Sequence, residues 1–170
     1  MQMQPFSLTL PQKRTTCVVF ASPHSGRDYD RGFLRRSVLD ECMIRTSEDA
    51  FVDLLFEDAP NFGAPLLCAT APRAYLDLNR SAEELDAALI EGTMKMAHNP
   101  RVASGLGVVP RVVASGRAIY RDKLTLKEAQ NRIASIWKPY HDNLQALLDH
   151  NLKTFGEAIL VDCHSMPHEA

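Results

Sequence analysis

The stretch AILVDCH, residues 158–164, decides the fold that we expect for this chain. Its apolar first half is typical of a strand buried within a sheet. Asp162 and His164 follow at the carboxyl end of that strand. A second run, TTCVVFAS at residues 15–22, is β-branched and apolar, and His24 follows it closely. Sites in α/β sheets gather at the carboxyl ends of strands, so two neighbouring strands of this kind would bring His24 and His164 together.

Between these two strands, apolar residues at helical spacing predict helices over residues 46–59, 82–96 and 125–156. The last helix is the clearest, because Thr125 and Glu128 form a capping-box pattern at its start. We expect Pro139 to kink this helix and Gly156 to end it.

Short apolar runs predict two further strands, over residues 64–70 and 73–79, and a glycine-bearing loop follows at residues 104–111. Strands that alternate with helices predict an α/β fold, in which helices cover the faces of a sheet. The chain has 170 residues, which suits one domain over residues 1–170.

The composition excludes several classes of protein. The formal net charge is −2 and no basic stripe with interleaved aromatic residues is present, so nucleic acid is not an expected partner. The apolar runs are too short to span a bilayer, so we expect no membrane segment. The four cysteines form no CxxC pair, which argues against a cysteine zinc cluster and favours the reducing cytoplasm.

The two histidines suggest a metal site, because zinc is commonly held by two imidazoles and a carboxylate with one position left for water. Candidates for the carboxylate are Asp28, Glu48, Asp49 and Asp53. Asp49 and Asp53 are four residues apart, so on a helix both would point to the same place. Each has an alternative role: Asp49 would also stabilise a helix N-terminus, and Asp28 lies in a polar loop where solvation is the default.

The pattern YLDLNR, residues 75–80, suggests a second kind of chemistry. The amide of Asn79 and the guanidinium of Arg80 are donors suited to bidentate binding of a carboxylate. Arg73, Arg111 and Arg117 lie in similar contexts. The alternative is that Arg80 pairs with Glu83 or Glu84 a few residues later.

Seven motifs occur here in one order: SPHSG, SEDAFVD, PRAYLDLNR, GVVPRVV, IYRDKLT, PYHDNLQALL and LVDCHSMP. In this order the chain resembles the N-formylglutamate amidohydrolase family over nearly its whole length from Val18 onward. Members of that family resemble zinc carboxypeptidases and aspartoacylases in fold. The resemblance therefore implies three layers, helix–sheet–helix, around a mixed sheet.

The resemblance also implies an activity, the hydrolysis of N-formyl-L-glutamate to formate and glutamate in histidine degradation. It implies zinc as the cofactor, held by His24, His164 and Asp49, with Asp28 as the rival third ligand. It further implies that Asn79 and Arg80 bind the substrate carboxylate, and that Arg73 assists them.

One departure from the family pattern qualifies this reading. In the family, the general-base glutamate lies in a continuation past the last motif, which here would be beyond Ala170. We therefore expect residues 1–170 to be the N-terminal portion of a longer amidohydrolase domain, poorly active alone and prone to form homo-oligomers. A sister hydrolase of another N-acyl amino acid and a non-catalytic carboxylate-binding module remain as alternatives.

Overall fold

The computed structural model describes residues 5–94 and 99–166. Within these residues the chain forms six strands: β1 Phe6–Thr9, β2 Val18–Ser22, β3 Leu66–Ala69, β4 Ile90–Glu91, β5 Leu124–Thr125 and β6 Ile159–Asp162. It also forms six α-helices: α1 Arg31–Arg36, α2 Glu41–Ile44, α3 Val52–Leu55, α4 Pro100–Ala103, α5 Leu126–Arg132 and α6 Lys138–Phe155. In this described part, none of the helices has the length and apolar character needed to cross a membrane.

The main sheet has the strand order β1-β3-β2-β6. β2 runs parallel to both of its neighbours, β3 and β6, whereas β1 is antiparallel to β3. The sheet is therefore mixed, as predicted. Ala21 of β2 lies opposite Asp162 of β6, so both strands end at the same edge of the sheet. The segments that carry His24 and His164 begin at this edge.

Helical segments pack on both faces of the main sheet. Neighbouring residues of a strand face opposite sides of a sheet, so two adjacent residues of β3 can show what covers each face. On β3, Leu67 belongs to the larger core together with Tyr140 of α6. Leu66, the next residue along, belongs to a smaller core with Phe56, which follows α3. The predicted arrangement of three layers is confirmed.

The long helix predicted over residues 125–156 is present, with both of its predicted ends. The Thr125 side chain accepts a hydrogen bond from the Glu128 N–H, and the Glu128 carboxylate accepts one from the Thr125 N–H. Gly156 ends the helix in the left-handed conformation, with φ 78°.

The structure has a π-helical turn, Ile133–Trp137, between α5 and α6, directly before Pro139; the kink expected at Pro139 stays a prediction. Across this turn the Lys138 N–H donates to the carbonyl oxygen of Ile133, five residues earlier. Proline has no N–H and its ring clashes with the carbonyl four residues before it. A wider turn immediately before Pro139 accommodates both effects within one continuous helical segment.

The prediction of one continuous helix over residues 46–59 is wrong. Glu48 is extended, with ψ 140°, and Phe51 is left-handed, with φ 65°. What remains helical is α3 and two 3₁₀ turns, Arg45–Ser47 and Ala59–Phe62. The Asp49 N–H donates to the backbone oxygen of His24 at 3.0 Å. This tertiary hydrogen bond replaces a helical one and anchors Asp49 beside the loop after β2.

Two other local predictions are wrong for a shared reason. Residues 73–79 form turns instead of a strand, and residues 82–94 form turns and β4 instead of a helix; residues 95–96 of that helix lie outside the described residues. The predicted glycine-bearing loop is present and binds both segments. The Asp77 N–H donates to the Val108 carbonyl at 2.8 Å, and the Val108 N–H donates to the Glu84 carbonyl at 2.9 Å.

The expectation that residues 158–161 form a buried strand is half right. The strand exists as β6, but it lies at the end of the sheet order. Ile159 is 47% exposed and Leu160 is 41% exposed. β6 therefore presents apolar side chains and an unpaired edge to solvent within the described structure.

Candidate functional site

Three side chains converge at the edge where β2 and β6 end. His24 follows β2, His164 follows β6, and Asp49 comes from the broken helical segment between them. Their ligand-type atoms all lie within 4.8 Å of one another. The Asp49 Oδ2 lies 2.7 Å from the His164 Nδ1 and 3.6 Å from the His24 Nδ1. The structure thus brings together the three residues chosen from the sequence.

The chemistry of this group fits a divalent metal ion. His24 and Asp49 are buried, and His164 lies at the exposed side of the group. Among the described residues, the buried His24 Nδ1 has no hydrogen-bond partner. Buried polar atoms are rarely left unpaired, and this one faces a carboxylate oxygen and a second imidazole nitrogen. Two imidazoles and one carboxylate are a ligand set that zinc accepts.

Each imidazole is oriented by a second carboxylate on its far side. The His24 Nε2 lies 2.7 Å from the Asp77 Oδ1, and the His164 Nε2 lies 3.0 Å from the Asp162 Oδ2. A carboxylate accepts a hydrogen bond from a protonated ring nitrogen. At His24, whose Nδ1 has no hydrogen-bond partner among the described residues, the contact with Asp77 favours the tautomer that leaves Nδ1 free, the arrangement that supports metal-binding histidines. At His164 both ring nitrogens lie against carboxylates, Nδ1 against Asp49 and Nε2 against Asp162.

Asp77 connects the histidine to the arginines. Its carboxylate accepts hydrogen bonds from the Arg73 Nε at 3.0 Å and from the Asn79 N–H at 2.9 Å. The Arg80 Nε lies 3.9 Å from the same carboxylate. Asp77 is only 1% exposed, so these donors replace the water that it loses on folding.

The same contacts set the charges of the site. Burial alone would raise the pKa of the Asp77 carboxyl, but His24 and Arg73 outweigh it and lower the pKa to about 2. Burial is likewise outweighed at Asp49, where the two histidines lower the pKa to about 2. For His24, burial favours the neutral ring, yet the carboxylates of Asp49 and Asp77 raise its pKa. Both aspartates are therefore charged at neutral pH, as metal ligands and their supports must be.

Glycine is required two residues after His24. A Cβ atom on Gly26 would lie 2.0 Å from the carbonyl oxygen of Ala71, so only glycine allows the two backbones to approach this closely. The Asp28 N–H then donates to the Thr70 carbonyl at 3.0 Å, which carries the loop away from the metal group.

A cavity of about 600 Å³ opens beside the metal group. Asp49, Asp77 and Arg73 line one side of it. Apolar side chains also line it, among them Leu106, Pro110, Val112 and Val113. A mostly apolar cavity with a few convergent polar groups is the usual form of a small-molecule site.

The predicted carboxylate-binding residues occupy different positions. Arg73 lines the cavity. The nitrogen of the Asn79 side-chain amide lies 3.3 Å from the Asp162 Oδ2 and 3.2 Å from the His164 Nε2. Arg80 lies behind Asp77, and its buried Nε has no hydrogen-bond partner among the described residues.

Two of the alternative carboxylates from the sequence lie elsewhere in the structure. Asp28 is exposed and lies outside the metal group. Asp53 forms a bidentate ion pair with Arg27 at 2.7 and 3.0 Å, and therefore does not join Asp49.

The acidic residues proposed as partners of Arg80 are engaged elsewhere. Glu83 accepts a hydrogen bond from Ser81, and Glu84 accepts one from Asn99 at 2.8 Å. Arg80 lies beside Asp77 instead.

Sequence reasoning missed Asp77 and Ser165. Asp77 lies inside the YLDLNR pattern, two residues before Asn79. The pattern was interpreted only through its donors, Asn79 and Arg80, and its acidic residue was overlooked. The Ser165 hydroxyl donates to the Asp49 Oδ1 at 3.2 Å, a contact that no local pattern indicates.

Comparison with known proteins adds an independent line of information. The sequence model of a family described as N-formylglutamate amidohydrolase matches residues 16–170. An N-formylglutamate deformylase of Pseudomonas putida is 26% identical over 151 residues, and one of Pseudomonas aeruginosa is 25% identical. The crystal structure of N-formylglutamate amidohydrolase from Ralstonia eutropha JMP134 is 36% identical, with a TM-score of 0.90 over 98% of this chain.

The matches also define how much of each relative is represented. The chain spans about half the length of the two Pseudomonas proteins, 51% and 52%, and 60% of the Ralstonia chain. A protein from Agrobacterium tumefaciens shares the fold alone, with 14% identity and a TM-score of 0.64.

Proposed function

This chain belongs to the N-formylglutamate amidohydrolase family, and we propose that it supplies the metal-binding and carboxylate-binding part of an enzyme that hydrolyses N-formyl-L-glutamate to formate and glutamate. One observation carries the proposal. The unpaired His24 Nδ1 faces Asp49 and His164, directly beside a cavity that Arg73 lines. Metal-ligating side chains next to a cationic side chain suit an amide substrate that carries carboxylates.

We assign zinc to His24, Asp49 and His164. A divalent ion at such a site supplies Lewis acidity, which polarises a carbonyl group and makes water easier to deprotonate. Asp77 holds the His24 imidazole with Nδ1 free, Asp162 lies against the His164 Nε2, and the Ser165 hydroxyl holds the Asp49 Oδ1. With these contacts in place, the ligand atoms need little reorganisation to accept the ion.

The arginines and Asn79 would bind and orient the substrate. Arg73 lines the cavity and bonds to Asp77 through its Nε, and no polar contact of its two terminal nitrogens with another described residue is seen. Arg80 and Asn79 offer further donors close to the histidines. Holding both substrate carboxylates would fix the scissile amide at the metal group, which lowers the barrier chiefly through positioning.

None of the described residues is assigned as the general base. Glu48 lines the cavity, but its carboxylate is held by Arg45, with an N–O distance of 3.1 Å. The expectation of a glutamate beyond Ala170 remains a prediction, and so does the cytoplasmic setting in histidine degradation.

This arrangement also favours a second candidate, a carboxylate-binding module that holds N-acyl amino acids without turnover. The held Glu48 is the observation in its favour. The two candidates differ in a single measurable event, the release of formate.

The test uses the purified 170-residue chain loaded with zinc. Binding of N-formyl-L-glutamate is measured by titration calorimetry and formate release by a coupled assay, with N-acetylglutamate and N-formyl-leucine for comparison. Arg73→Ala should weaken the binding of N-formylglutamate by about tenfold or more, since a charge-assisted hydrogen bond is lost. Arg35→Ala, on the exposed last turn of α1, is the matched control.

Binding with formate release supports the hydrolase, whereas binding without release is expected both of the module and of a hydrolase whose general base is not among the described residues. If the wild-type chain binds neither zinc nor N-formylglutamate, both the hydrolase and the module are refuted.

A further inference from the structure

The segment Tyr75–Arg80 carries three residues of the site on an irregular backbone. Asp77 and Leu78 are 1% and 2% exposed, yet this segment belongs to no strand or helix. Buried carbonyl groups need donors, and here the ladder of a sheet does not supply them. Side chains supply donors to three of these carbonyls.

One helical segment supplies three such donors. The Arg132 Nη1 donates to the Tyr75 carbonyl at 3.0 Å, the Trp137 Nε1 to the Arg80 carbonyl at 2.8 Å, and the His141 Nε2 lies 2.9 Å from the Leu78 carbonyl. A carbonyl oxygen only accepts, so the His141 Nε2 carries the proton. Trp137 and His141 thus bind the carbonyls on either side of Asn79.

The π-helical turn explains why these three donors share one face. Arg132 and Trp137 are five residues apart, which in a regular α-helix would separate them by about 140° around the axis. A π turn closes its hydrogen bond over five residues, so the five-residue step is close to one full turn. Trp137 and His141 are then four residues apart in α6, again on one face. Their rings are in contact, tilted by 36° with centroids 4.0 Å apart.

Asn79 transmits this positioning to the metal group. Its N–H donates to the Asp77 Oδ1 at 2.9 Å, and its side-chain amide donates to the Asp162 Oδ2 at 3.3 Å. Those two carboxylates are the ones that hold His24 and His164. A shift of the Asn79 backbone would therefore disturb the orientation of both imidazoles.

We propose that Trp137 and His141 are positioning residues for the site: their ring N–H groups fix the backbone on both sides of Asn79 and, through Asn79, the two carboxylates that orient His24 and His164. Neither ring contacts a ligand atom of the metal group. The inference deepens the proposed function, on which the role of the metal group rests.

The test compares two variants that remove one donor each with variants that do not. Trp137→Phe keeps an aromatic ring and loses the N–H. His141→Asn shortens the side chain so that its amide no longer reaches the Leu78 carbonyl, whereas the longer His141→Gln carries an N–H about as far out as Nε2. Lys138→Ala, which removes only an exposed ion pair with Asp142 next to Trp137, is the matched control.

Two quantities are measured on the full 170-residue chain. In the metal-free protein, NMR records the side-chain amide signal of Asn79 and the ring nitrogen signals of His164. In a chelator competition, the dissociation constant for zinc is determined. We expect Trp137→Phe and His141→Asn to shift the NMR signals and to weaken zinc binding about tenfold, the low end for groups that support metal ligands. His141→Gln should restore both, and Lys138→Ala should change neither.

Unchanged Asn79 and His164 signals in both donor-removing variants would overturn the inference, as would loss of thermal stability with wild-type zinc affinity. If Trp137→Phe does not fold, the pair His141→Asn and His141→Gln decides the question. A wild-type chain that binds no zinc would refute the proposed function. The NMR comparison in the metal-free protein would still decide whether Trp137 and His141 position Asn79 and His164.

Discussion

Replacing Asp77 by asparagine is the sharpest perturbation of the site that keeps its shape. The Asp77 carboxylate accepts from the His24 Nε2 at 2.7 Å, from the Asn79 N–H at 2.9 Å and from the Arg73 Nε at 3.0 Å. An asparagine oxygen can still serve His24 and Asn79. Its NH₂ group would then face the Arg73 Nε, so two donors would oppose each other and the negative charge would be lost.

The size of the effect follows from the pKa of this carboxyl. In the metal-free chain the pKa of Asp77 is lowered from 3.8 to about 2, and the side chain is buried. A lowered pKa means that the charged form stabilises the folded state, and this difference corresponds to about 2 kcal/mol at neutral pH. We therefore expect Asp77→Asn to lower the free energy of unfolding by about 2 kcal/mol. Zinc affinity should fall by about 10- to 100-fold, because a neutral amide is a weaker acceptor than a carboxylate and no longer raises the basicity of the His24 imidazole.

Asp86→Asn separates the two effects. Asp86 is also buried, and it pairs with the Arg111 Nε at 2.8 Å and accepts from a backbone N–H, but it contacts none of the three ligand residues. Urea unfolding of the metal-free proteins gives the stabilities, and competition with a zinc indicator at pH 7 gives the affinities. Both variants should be destabilised, and only Asp77→Asn should lose zinc affinity. Zinc affinities of Asp77→Asn and wild type within twofold of each other would refute the reasoning.

Three further predictions concern stability and association. Gly26→Ala should lower the free energy of unfolding by about 3 kcal/mol in urea unfolding, because its Cβ would lie 2.0 Å from the Ala71 carbonyl oxygen; a loss below 1 kcal/mol would contradict the close approach. The metal-free chain should lose stability as the pH falls from about 4 to 2, since the lowered pKa values of Asp49 and Asp77 stabilise the folded state only while both are charged; a flat urea midpoint over this range would contradict it. The exposed edge of β6 should promote self-association at high concentration, and Leu160→Lys should reduce it in sedimentation velocity; equal association of both proteins would exclude this edge.

The sequence contained enough information for the sheet edge and for the long helix. Two apolar strands that each precede a histidine placed His24 and His164 together, because parallel neighbours end at a common edge. The capping box of Thr125 and Glu128 fixed the start of the helix, since its signal is local and is met by neighbouring residues alone. These features depend on short-range chemistry or on simple topology.

The segments that supply the remaining site residues were predicted poorly for the opposite reason. The hydrogen bond of the Asp49 N–H goes to His24, and that of the Asp77 N–H goes to Val108, so long-range partners decide their conformations. Local helix and strand propensity had no access to these partners and predicted regular structure at both places. Predictions from local propensity are expected to fail where a chain departs from regular structure to form a site.

The irregular backbone at the site makes the geometry of the site depend on hydrogen bonds from other segments. A strand or helix satisfies its own backbone, but the segment Tyr75–Arg80 depends on ring N–H groups of Trp137 and His141 for its carbonyls. Those donors are correctly placed only because the π turn before Pro139 changes the helical register. A regular α-helix at this point would conflict with the ring of Pro139 and would turn Trp137 away from Arg80. The geometry of the metal group therefore depends on a helix defect that is remote from it in sequence, and a substitution that restored regular helix there would disturb the site without touching any of its residues.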